Sequence, residues 1–102
     1  MSATTDTLCK LILPSGEVRD VRPENGRTFS MIELQKIIGG DIDIQWSEDD
    51  LYVAVLNEHM YGLDLDPNPA GTEQFKKLCP NVVLLKEGIC GPILIGPAEV
   101  IV

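Results

Sequence analysis

The fold class this sequence predicts is α+β: a mostly antiparallel sheet with two short helices, in the order ββ-α-βββ-α-ββ. Three observations lead there. Short apolar runs rich in Val, Ile and Leu recur along the chain, bounded by Pro, Gly, Asn and Asp. A complete helix-start signal stands at Ser30, and a weaker one lies near Thr72. Strand-like runs come in groups with a helix between groups, the arrangement of an α+β chain. With 102 residues and 44% apolar content, one soluble domain is expected over residues 8–102, behind a flexible tail of residues 1–7.

The first group is a hairpin. Leu8–Leu13 and Glu17–Arg22 flank Pro14-Ser15-Gly16, a tight-turn signal, and Pro23-Glu24-Asn25-Gly26 breaks the second strand. Ser30 and Glu33 then have capping-box spacing, in which each side chain satisfies the other residue's backbone N–H. Phe29 and Leu34 have the spacing of a hydrophobic staple around that cap. Met31, Leu34, Ile37 and Ile38 define one apolar face, and Gly39 ends the helix because glycine takes the left-handed conformation cheaply.

The middle group reads as a three-stranded meander. Asp41–Trp46 alternates, with Ile42, Ile44 and Trp46 expected inward and Asp41, Asp43 and Gln45 outward. Ser47–Asp50 is a turn, and Leu51–Leu56 is an unbroken apolar run expected as a strand covered on both faces. After an Asn57-Glu58-His59 turn, Met60–Asp66 is expected as a third strand. Pro67–Gly71 reads as a stiff loop, with Thr72 capping a helix over Glu73–Leu78 that Pro80 stops. The closing group is Val82–Leu85, a loop over Lys86–Gly91, and one bent strand made of Pro92–Ile95 and Glu99–Val102. The apolar segment PILIGPAEVIV, taken as an exposed edge, invites pairing with a second copy, so a homodimer is expected.

Charge narrows the function classes. The net charge is −8, and residues 41–70 carry eight Asp or Glu with no Lys or Arg. The flanking segments are balanced, so the whole net charge sits in the middle third. Phosphate contacts need Lys and Arg, which argues against nucleic acid and anionic membranes as partners. The longest apolar run, Leu51–Leu56, has six residues and is too short to span a bilayer. The first residues lack the charged and apolar regions of a signal peptide. Cys9, Cys79 and Cys90 show no paired spacing; Cys9 and Cys90, beside apolar residues, read as small buried hydrophobes, and the protein as reduced and cytoplasmic.

Catalytic constellations are sparse. His59 is the one histidine, and no nucleophile motif or phosphate-cradling loop accompanies it, so no catalytic residue and no cofactor is assigned. Asp41 and Asp43, with Asp64 and Asp66 facing them, form a weak candidate cation site without the spacing of a calcium loop. An acid-dependent metalloenzyme therefore ranks third among the function classes. The first is a non-enzymatic interaction protein. Its acidic face would comprise Asp41, Asp43, Trp46, Glu48, Asp49, Asp50, Tyr52, Asp64 and Asp66, and would engage a partner protein with a basic surface. Complementary charge steers such association, and aromatic side chains anchor it. The second class is a binder of a small nucleotide-type ligand built on Asn57, Tyr61, Asn68 and Pro69.

The stretch IIGGDIDI, followed by an apolar strand, Asn57-Glu58, Gly62-Leu63, Asn68 and Ala70, resembles the phage- and plasmid-associated family called "domain of unknown function 3846". The resemblance covers most of residues 8–96. It departs from the family pattern in a shorter Asn57–Gly62 turn and in Pro69, which stands where the pattern has arginine. It implies a viral or mobile-element accessory protein, with counter-defence as a natural role, acting on a host protein in the host cytoplasm. It supplies no catalytic residues.

Overall fold

A computed structural model describes residues 8–82 and 88–101 of the chain. The elements are β1 (Cys9–Ile12), β2 (Val18–Val21), α1 (Met31–Ile38), β3 (Ile42–Trp46), β4 (Tyr52–Asn57), α2 (Pro69–Leu78) and β5 (Ile93–Pro97), with a closing 3-10 turn over Ala98–Val100. The class is α+β with two short helices, and the succession of hairpin, helix, strand pair, helix and closing strand follows the expected order. The five strands form one antiparallel sheet in the order β2-β1-β5-β4-β3.

Register explains how a thin sheet supports two cores. Leu11, Leu94, Val55 and Ile44 lie in one cross-strand row, and Ile12, Ile93 and Leu56 lie in the next. Because successive residues of a strand point to opposite faces, the rows face opposite ways. Phe29, Leu34, Ile38 and Val100 cover the first row. Phe75 of α2 and Cys79 just beyond its end, with Met60, Ile89 and Cys90 from the loops, cover the second. Cys9 and Cys90 are buried in these cores as expected, and Cys79 is buried as well.

Helix α1 follows its sequence signals closely. Ser30 Oγ accepts from Glu33 N–H at 3.1 Å, and Glu33 Oε1 accepts from Ser30 N–H at 2.9 Å. Gly39 ends the helix at φ 90°, where a Cβ would be strained. Met31, assigned to the buried face, is instead exposed. It stands at the first helical position.

Tertiary pairing overturns four local readings. Met60–Asp66 forms tight turns instead of a third meander strand, because both sides of β4 are already occupied by β3 and β5. The second helix begins at Pro69 with Asn68 as its cap, so the expected loop is its first turn and Thr72 is interior. Glu99–Val102 adds no strand over its described residues: Ala98–Val100 turns and Val100 plugs the α1-side core. The closing segment is also no edge. Strand β5 is central, hydrogen-bonded on both sides, so the ground on which a dimer was expected is removed. The expected tail, residues 1–7, lies outside the described residues, as does most of the strand expected over 82–85.

One close approach holds the centre together. A Cβ on Gly96 of β5 would collide with Cys9 Sγ and stand 3.0 Å from its Cβ. Glycine here lets β1 and β5 pack with a thiol between them.

Candidate functional site

The acids of the middle third are distributed by the β3–β4 ladder. Its register pairs Ile42 with Asn57 at one end and Trp46 with Val53 at the other. The connecting turn, Ser47–Leu51, forms the tip, and the residues flanking Ile42 and Asn57 form the base. At roughly 3.3 Å per residue, tip and base stand about 15–20 Å apart.

The tip is a rigid acidic turn. Ser47 is buried; its N–H donates to Tyr52 O at 2.9 Å, and its hydroxyl accepts from Tyr52 N–H at 3.1 Å. The same hydroxyl donates to Asp49 Oδ1 at 2.5 Å, and Leu51 N–H donates to that oxygen at 3.0 Å. These bonds favour the charged carboxylate, so the Ser47 hydroxyl, then the Leu51 amide, hold Asp49 below the usual carboxylate range. Asp50 closes the turn at φ 60°, a conformation that Asp tolerates better than most residues. Glu48, Asp49 and Asp50 are all exposed, and none is in an ion pair among the described residues.

Apolar surface surrounds those acids. Trp46, expected inward, is 46% exposed at the end of β3, an edge strand of the sheet. Leu51, expected inside a covered strand, is 62% exposed at the turn. Phe29 N–H donates to Val100 O and Ala98 N–H to Leu51 O, so α1 begins at this end of the sheet. Its first turn adds exposed Met31 and Ile32. On the opposite face Tyr52 borders a shallow groove with Glu48, Asp49, Lys77, Leu78 and Pro80. Trp46 and Tyr52 therefore lie on opposite faces of the sheet, and only the tip is common to both.

The C-terminus of α2 is tied to this end. Cys79 Sγ donates to Trp46 O at 3.3 Å, and Asn81 Nδ2 donates to Glu48 Oε1. Burial, then the nearby Glu48 charge, pushes the Cys79 thiol up, so it stays protonated and able to donate.

The base gathers a different set. Glu58 N–H donates to Asp41 O at 2.9 Å, and His59 N–H donates to Asn57 Oδ1 at 2.8 Å. His59 Nε2 then lies 3.2 Å from Asp41 Oδ2 and 3.9 Å from Glu58 Oε2. Asp43 stays apart from this group: it is half-buried on β3 and accepts from Gln45 Nε2 at 2.9 Å. Asp64 sits in the turn after Tyr61 at φ 56°, and the Asp66 carbonyl accepts from Gly91 N–H at 2.7 Å. The nine residues assigned to one acidic face are thus divided. Trp46, Glu48, Asp49, Asp50 and Tyr52 meet at the tip, Asp41, Asp64 and Asp66 lie toward the base, and Asp43 stands on β3 between them.

The residues considered for a small ligand serve the fold. Asn68 is 1% exposed; its Oδ1 caps α2 by accepting from Gly71 N–H at 2.9 Å. Its Nδ2 donates to Ile12 O and Gly91 O, each at 2.9 Å, which joins helix, sheet and loop through one amide. Pro69 occupies the first helical position, where its missing N–H costs nothing. Asn57 is also 1% exposed and orders the base turn, and Tyr61 Oη donates to Gly88 O.

Two members of the base cluster, Glu58 and His59, were missed as a pair with Asp41. The signal was present: a hairpin turning at Ser47–Asp50 with Ile42 opposite Asn57 puts Asp41 opposite Glu58 one step further on. Among the described residues, no helix is long and apolar enough to cross a membrane. Comparisons with family models, with curated proteins and with solved structures give no match to this chain.

Proposed function

We propose that this protein is a non-enzymatic interaction module whose β3–β4 tip docks on a partner protein bearing a basic surface with apolar residues beside it. One observation carries the reading: Trp46, Leu51 and Ile32 are 46%, 62% and 65% exposed at the same end as three acids that form no ion pair among the described residues. Exposed aromatic and aliphatic anchors favour burial, and the acids steer a partner of opposite charge. The hydrogen-bonded turn adds preorganisation, since little order has to be imposed on binding. By the family resemblance, the partner is a host protein met by a phage or mobile-element accessory protein in the host cytoplasm.

The small-nucleotide reading gains no support from the geometry, since Asn57 and Asn68 are buried and committed internally. Nothing in the site's geometry points to a reaction.

Trp46 is the chain's one tryptophan, so its fluorescence reports on the tip directly. Titration with short peptides that combine Lys or Arg with Leu or Phe is expected to blue-shift that emission, with affinity falling as salt rises. Combined Glu48→Gln, Asp49→Asn and Asp50→Asn replacement should abolish the salt dependence. Emission unmoved by every basic apolar peptide, or binding insensitive to salt, would overturn the proposal.

A further inference from the structure

We infer that Asp41, Glu58 and His59 form a site for a divalent transition-metal ion at the base of the β3–β4 pair, with Zn2+ the best chemical match. One ligand atom from each residue lies within 4.8 Å of the others. Metal bonds of about 2.0–2.1 Å at a tetrahedral angle place neighbouring donors about 3.4 Å apart. The His59–Asp41 and His59–Glu58 separations, 3.2 and 3.9 Å, bracket that value. Small side-chain adjustments suffice to close the set around an ion.

The backbone under the three ligands is held independently of any ion. Asp41 and Glu58 are joined by the 2.9 Å bond from Glu58 N–H to Asp41 O. His59 is set by the buried Asn57 amide, which packs so tightly under Gly40 that a Cβ there would stand 3.2 Å from Asn57 Nδ2. These contacts fix the backbone from which the three ligands project. The donor set also selects its ion. An imidazole nitrogen favours Zn2+ and related transition ions over Mg2+ or Ca2+, and the two carboxylates balance the dipositive charge. Three protein donors leave a fourth position for water or for a donor from another molecule.

This site is distinct from the tip and stands or falls separately. His59 is the chain's one histidine, so its ring resonances report on the site without ambiguity. The full chain, stripped with EDTA and dialysed, is titrated with ZnCl2 and followed by calorimetry and by NMR of the imidazole. One equivalent is expected to bind, with a saturable shift of the His59 ring. His59→Gln, Glu58→Gln and Asp41→Asn should each weaken binding at least about tenfold while leaving the metal-free melting temperature unchanged. Asp49→Asn at the tip should bind as the wild type does. With CoCl2, the spectrum should lack a thiolate charge-transfer band, which separates this site from binding at the cysteines. A His59 ring unmoved at millimolar zinc, or zinc affinity unchanged in H59Q, would overturn the inference.

Discussion

Tip and base of one two-stranded ladder carry the same kind of charge and put it to different uses. At the tip, Ser47 and the Leu51 amide tie down Asp49, while Glu48 and Asp50 project beside open apolar side chains. At the base, Asp41 and Glu58 converge on an imidazole, and the apolar residue nearby, Met60, is buried in the α2-side core. Acids among exposed apolar groups suit a macromolecular surface; acids converging on a nitrogen donor suit a small cation. Charge density alone does not separate the two cases. The direction in which the backbone aims the carboxylates does.

The largest expected effect tests the scaffold that both ends share. Asn68→Ala removes the α2 cap and two buried bonds to Ile12 and Gly91. A loss of about 3 kcal/mol is expected in urea unfolding, from the cap and from carbonyls left unpaired. A loss under about 1 kcal/mol would mean that water replaces the amide.

Next comes a variant that should break the symmetry between the ends. Asn57→Ala frees the His59 amide and unseats the base turn, at about 1–2 kcal/mol. Zinc affinity should fall while Trp46 emission and its response to basic peptides stay as in the wild type. If both readouts change, the ends are coupled and the comparison fails.

Ser47→Ala is the counterpart at the tip. It deletes the hydroxyl that receives Tyr52 N–H and donates to Asp49, at about 1 kcal/mol in unfolding. Peptide affinity should fall through lost preorganisation, and zinc affinity at the base should not move.

The smallest effect is a pH dependence. Asp49 has a folded-state pKa lowered by the Ser47 hydroxyl and the Leu51 amide. Its contribution is therefore full above the ordinary aspartate range and is lost as pH falls through the lowered folded value. In thermal melts, Asp49→Asn should lower the melting temperature slightly at neutral pH and flatten part of the acid-side decline. An unaltered acid limb would show that the turn bonds form equally well with the protonated acid.

Much of the fold was legible because its signals are local. The capping box of Ser30 and Glu33, the left-handed Gly39 and the Pro14–Gly16 turn each need only a few neighbouring residues, and each is present as read. Asn68 before Pro69 was a readable cap signature as well, since Asn favours the cap and Pro the first helical position. The candidate site was less legible. Alternation placed Trp46 inward, yet alternation gives only parity, and what covers a face is set by elements distant in sequence. Leu63 and Leu65 alternate with acids as a strand should, but β4 had no free side to receive one.

By itself, then, the sequence determined the α+β class, the start and stop of α1, the first hairpin and the location of all net charge in the middle third. The tertiary structure alone decided that β5 lies in the centre, that α2 starts at Pro69, and that Asp41 meets Glu58 and His59. The reason is the range of the interactions. Caps, turns and charge runs are settled within about four residues along the chain, whereas strand order, burial of a face and convergence of ligands depend on pairings between residues far apart in sequence.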